Sequence, residues 1–144
     1  MAALALVVAA AAMSATGAAA TSTTLRLDGV RFGPELALTP RERSLGLKGR
    51  ELAPADGMLF VFPKDTRSGF WMEGMRVPLR IVFFDRRGRR VRTLWLEPCR
   101  EDPCPISYPG RRYRFALELP ATDTRRARIL GPPVALARLS RSAR

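Results

Sequence analysis

The sequence predicts one small α+β domain, β-rich, built of mostly antiparallel strands with one or two short helices. A partly closed barrel is one arrangement its strands allow. Three observations lead there. Short apolar segments recur, several alternating with period two, and turn residues such as Asp85-Arg86-Arg87-Gly88 separate them at hairpin length. One strong helix start stands out, Thr39-Pro40-Arg41-Glu42. The chain has 144 residues, which is room for a single core.

Residues 1–20 carry no charged side chain and include the run Leu4-Ala5-Leu6-Val7-Val8. The apolar stretch from Leu4 to Met13 is the length of a signal-peptide core and too short to span a bilayer. Ala18-Ala19-Ala20 offers the small residues a cleavage site needs. The expectation is a signal peptide over 1–20, a domain over 21–139 beginning at Thr21, a frayed tail over 140–144, and a secreted or cell-envelope location. The leader lacks the usual basic start, having only the terminal amine.

Thr24 to Leu38 reads as two short strands around an Asp28-Gly29 turn. At the helix start Thr39 caps, Pro40 fits the first position and Glu42 completes a capping box. Gly46 and Gly49 keep that helix short. Met58-Leu59-Phe60-Val61-Phe62 is apolar on both faces and predicts an interior strand, which Pro63 should end. Leu79–Phe84 and Arg90–Leu96 predict a hairpin, with Gly88 in a left-handed conformation. Tyr113, Phe115, Leu117 and Leu119 alternate with Arg112, Arg114, Ala116 and Glu118, which predicts a half-buried strand with Glu118 on its polar face beside an arginine. Thr122–Arg128 suggests a helical turn and Val134–Leu139 a closing strand.

Taken in order, Arg43-Ser44-Leu45-Gly46-Leu47, Gly57–Phe62, Phe70-Trp71-Met72, Val77-Pro78-Leu79, Ile81–Asp85, Pro98-Cys99, Cys104-Pro105, Tyr108 and Ala116–Pro120 resemble the DUF192 family, also called UPF0127. The resemblance spans about residues 24–137. It implies a small bacterial or archaeal protein, often exported, in a family without an established activity. The chain departs from the family pattern at Arg80, where Asp is usual, at Glu73-Gly74-Met75, where a Lys-Asn-Thr-like run is usual, and at Gly131-Pro132, where Gly-Asp is usual.

Composition excludes a good deal. The chain has no histidine, which removes Ser-His-Asp and Cys-His nucleophiles and His-ligated zinc. Its 25 Lys+Arg against 13 Asp+Glu give a net charge of +12, nearly all from arginine. Such a field attracts polyanions: nucleic acid, anionic lipid or acidic wall polymer. Export argues against nucleic acid, and no reading motif is visible. Arg86, Arg87, Arg89 and Arg90 flank one hairpin turn, either as a solvated edge or as a phosphate- or carboxylate-binding tip. Cys99 and Cys104 are the only cysteines, and in an exported chain a structural disulfide is the first reading, closing a small loop for about 2 kcal/mol.

The candidate ligand site is the group Phe70, Trp71, Met72, Glu73 and Arg80, helped by Tyr108. Trp71 would stack on a flat ligand and Arg80 contact an anion. The preferred reading is a non-catalytic binding or accessory module for an anionic envelope component or a small ligand, with no cofactor or metal. One alternative is an enzyme acting on envelope polymer, with Glu73 or Asp56 as acid or base. Another is a Cu(I) carrier using the thioethers of Met72 and Met75.

Overall fold

The computed structural model describes residues 24–51 and 53–144. The expected leader and the start at Thr21 lie outside the described residues. A hairpin comes first, strands β1 (Leu25–Leu27) and β2 (Val30–Phe32). Its turn residues Asp28 and Gly29 both have positive φ, 51° and 85°, the conformation that matches strand twist in a two-residue turn. Beyond it lies a third strand that the two-strand reading missed, β3 (Glu35–Ala37), followed by helix α1 (Pro40–Leu45). The capping box forms as its sequence dictates. Glu42 N–H donates to Thr39 Oγ1 at 3.2 Å, and Thr39 N–H donates to Glu42 Oε2 at 2.9 Å.

Strands β4 (Met58–Thr66), β5 (Leu79–Phe84), β6 (Arg90–Leu96) and β7 (Tyr113–Pro120) follow, then β8 (Leu130–Gly131) and helix α2 (Pro133–Ser142). They form a five-stranded sheet in the order β3-β4-β7-β5-β6 and a three-stranded sheet in the order β2-β1-β8. All pairings are antiparallel except β3 with β4. The large sheet stays open, with β3 and β6 at its edges, so no barrel closes.

Period two divides the large sheet into two apolar faces. Leu59, Val61, Val82, Phe84, Phe115, Leu117 and Leu119 point to the face covered by the small sheet and α2. Met58, Phe60, Leu79, Ile81, Phe83 and Ala116 point to the other, covered by Leu47, Phe70 and Met72. Each large side chain buried in either core stabilises the fold by about 1.5–3 kcal/mol.

The structure corrects several expectations. Pro63 does not end β4, because its missing N–H falls in the interruption of β4–β7 pairing between Val61 and Thr66. Strand β7 is not half-buried: it lies at the centre of the sheet with both faces covered, and Glu118 is buried with it. Thr122–Arg128 forms no helical turn; it is irregular, with Ala127 at φ 49°, and the Arg125 guanidinium spans from Asp123 to Asp56 and Ala55 O and holds it in place. Val134–Leu139 belongs to α2, because Pro133 suits a first helical turn and Ala135, Leu136 and Leu139 share a helical face against the core. The tail over 140–144 is docked: Ala143 is buried and Arg144 N–H donates to Leu38 O at 2.9 Å.

Candidate functional site

On the α2-free face of the large sheet, α1 and the segment that follows it overhang β4 and β7 and leave a cavity of about 150 Å³. Arg43 sets the overhang. Its Nη1 donates to Leu38 O and to Val61 O at 2.6 and 2.9 Å, and its guanidinium lies 5.0 Å from the Phe62 ring centre. Gly46 then turns the chain with φ 50°, close over Phe60, and a Cβ there would sit 3.1 Å from Phe60 Cζ.

The opposite wall is the segment from Gly69 to Met75, fixed along its length. Tyr113 Oη donates to Ser68 O at 2.8 Å. Phe70 and Ser107 exchange backbone hydrogen bonds of 2.9 and 2.7 Å. Cys99 N–H donates to Met72 O at 3.3 Å, and Gly49 N–H to Gly74 O at 2.9 Å. The Cys99–Cys104 disulfide forms as expected and shapes the loop that supplies two of these ties. Edge-to-face rings complete the wall, Phe60 with Phe70 at 5.2 Å and Phe70 with Phe83 at 5.5 Å.

Glu118 closes the base of the cavity. It pairs across β7 with Met58 of β4 and Ile81 of β5, both on this face. The side chain is 6% exposed, and Oε2 is buried without a hydrogen-bond partner. A Cβ at Gly46 would lie 3.8 Å from that oxygen, so the glycine leaves open the space above it. Burial pushes the Glu118 carboxyl up to about 8, so at neutral pH it is mostly an uncharged acid, able both to donate and to accept. Sequence reasoning missed it. A lone acid inside Phe115-Ala116-Leu117-Glu118-Leu119 was the available signal.

Of the expected site residues, Phe70, Trp71 and Glu73 line this cavity together with Met75. Trp71 is 44% exposed at its mouth. Glu73 is ion-paired with Lys48 at 2.8 Å, and that ammonium holds its carboxyl below the ordinary range. Met72 is buried in the core behind the wall, and Tyr108 is exposed and packs against Gly69. Arg80 is not part of the group. It points to the other face, opposite Leu119, where Nη2 meets Asp123 Oδ1 at 2.9 Å and Nη1 donates to Arg125 O at 2.7 Å. Asp56 is also elsewhere, accepting from Gly33 N–H and Arg125 Nη1 at 2.9 and 2.7 Å. Of the two thioethers read as copper ligands, only Met75 reaches the cavity. Among the described residues no group of three or more His, Cys, Asp or Glu gathers where it could hold a metal ion.

The DUF192 family profile, described as an uncharacterised ACR, matches residues 23–131. The chain belongs to the DUF192 family. Two crystal structures share the DUF192 chain's fold. One is a candidate transcription regulator from Sinorhizobium meliloti 1021, 27% identical, with a TM-score of 0.62 over 70% of this chain and 81% of that one. The other is a protein of unknown function from Novosphingobium aromaticivorans DSM 12444, 22% identical, with a TM-score of 0.63 over 76% of this chain and 82% of that one. No curated protein matches the chain. Cavity and family coincide along the sequence: Gly46, Phe60, Phe70, Trp71 and Glu118 all fall inside the matched residues.

Proposed function

We propose that this DUF192 protein is a non-catalytic, exported module of the cell envelope that binds a small ligand in the cavity between α1 and β7. The observation that carries the reading is Glu118, a buried carboxyl whose Oε2 lacks a partner beneath an open, aromatic-walled space. A buried polar group left unpaired costs about 1–3 kcal/mol, a cost that a ligand completing its hydrogen bonds recovers. A cavity near 150 Å³ accommodates a body about the size of benzene. The favoured ligand therefore has a ring-sized apolar body and one polar group that pairs with a neutral carboxylic acid. Export is supported by the uncharged, Ala-rich residues 1–20 and by the disulfide, which persists in oxidising compartments. No described helix is long and apolar enough to cross a membrane.

Benzamide tests the site, because its amide pairs with an un-ionised carboxyl. Protein-observed NMR at pH 6 is expected to give saturable shifts at Gly46, Leu47, Gly69 and Phe70, lost in Glu118→Leu. Equal binding by Glu118→Leu, or no saturable shift in the unaltered protein, contradicts the reading. Intact mass from a secreting host tests export separately. A chain starting at Thr21 supports it, and a full-length reduced chain opposes it.

One observation favours a second reading. The protonated acid Glu118 and the ionised Glu73 line the same cavity, and carboxyl groups with separated pKa values can divide acid and base roles. In an enzyme of that kind Glu73→Gln abolishes turnover while benzamide binding survives.

A further inference from the structure

A second concavity shares no lining residue with the Glu118 cavity. It has a volume of about 720 Å³ and sits between the β5–β6 turn and one face of α2. Arg86, Arg87 and Arg89 come from the turn, Arg141 from the helix, and Arg114 from β7, with Pro63 of β4 also lining it. Asp85 Oδ1 accepts from Arg87 N–H and Arg89 N–H at 2.8 and 3.0 Å, which fixes the backbone of the turn; the Asp85 carboxylate lies beside Arg86 and Arg87 in a neighbouring concavity and does not line this cleft. Arg114 is ion-paired with Asp65 at 2.8 Å. Among the described residues the other four guanidiniums lining the cleft are in no ion pair. Arg90, the fourth arginine of the turn region, is committed elsewhere, donating to Arg126 O at 2.8 Å.

Like charges gathered around one cleft repel each other, and an anion placed among them reverses the sign of that energy. We propose that this cleft is a binding site for a ligand carrying two or more phosphate groups. Guanidinium forks grip phosphate with paired hydrogen bonds, and four free forks are enough for two such groups. No aromatic residue lines the cleft to stack a base, so single-stranded nucleic acid gains nothing there beyond its phosphates.

Inorganic tripolyphosphate is the probe, titrated calorimetrically into the whole protein at low salt. Arg87→Ala and Arg141→Ala change exposed side chains on opposite walls, and each is expected to weaken binding about tenfold or more. Arg100→Ala removes the same charge beyond the far end of β6 and is expected to leave affinity unchanged. No binding, or equal loss in all three variants, overturns the site in favour of a diffuse surface charge. Vesicles containing cardiolipin, whose headgroup carries two phosphates, identify the source of the phosphate. Vesicle binding lost in Arg87→Ala and Arg141→Ala assigns a lipid headgroup, and tripolyphosphate binding without vesicle binding assigns a free phosphate ligand. Thymidine oligomers that bind more tightly than tripolyphosphate through the same arginines overturn the proposal and make the cleft a nucleic-acid contact.

Discussion

Arg80 and Glu118 lie one register position apart in the β5–β7 ladder, both buried, and the fold treats them in opposite ways. Arg80 faces Leu119, and Glu118 faces Ile81. On the α2 side, Arg80 finds Asp123 and Arg125 O, and the Arg125 guanidinium ties Asp123 onward to Asp56. The network joins the segment after β7 to the turn before β4. On the other side, Glu118 has no cation and Oε2 has no hydrogen bond. Arg80 is structural because Asp123 balances its charge and its two terminal nitrogens are bonded, although its Nε is buried without a partner. Glu118 stays un-ionised because no cation meets it among the described residues, and it looks into a cavity. Burial alone does not mark a functional group; burial without partners beside open space does.

The largest expected effect separates the two through pH. The Glu118 carboxyl titrates near 8 in the folded protein against an ordinary value of 4.5, so between these values the native state holds a proton that the unfolded chain has released. Stability from this group is therefore fully present below pH 4.5 and declines as pH rises to about 8. From pH 5 to 9 the decline is on the order of 4 kcal/mol, measurable by urea unfolding. Glu118→Gln should remove that slope. Arg80→Met should act differently, costing about 1–3 kcal/mol nearly uniformly over the same range, since it removes one of the two guanidiniums on Asp123 and leaves the other, Arg125, in place. A slope that survives Glu118→Gln, or an Arg80→Met loss that varies with pH, erases the contrast.

Smaller effects sharpen it. Trp71→Ala, at the half-exposed mouth, should weaken benzamide binding about tenfold by NMR titration while stability moves by less than about 1 kcal/mol. Glu73→Gln breaks an exposed pair with Lys48 and should leave the urea midpoint unchanged.

Much of this was legible in the sequence, and the failures share a cause. The capping box at Thr39, the Asp28-Gly29 turn and the Gly88 turn rest on local chemistry, which neighbouring residues dictate. Glu118 and Arg80 were misassigned because their surroundings are set by which strands flank β7 and β5. Period two correctly put Glu118 opposite Leu117, but nothing local says that both faces of β7 are covered. Val134–Leu139 failed differently: its alternating residues fit a strand, and Pro133 at a helix start was the overlooked signal. β3 was lost because three residues pairing in parallel with β4 carry no hairpin signature.

The most direct test is a carbon-detected NMR titration of the Glu118 side-chain carboxyl from pH 4 to 10. A midpoint raised to about 8 is the result this account predicts from burial without a partner. A midpoint near 4.5 would mean that water or a cation reaches the carboxylate, and Glu118 would then offer no neutral acid to a ligand.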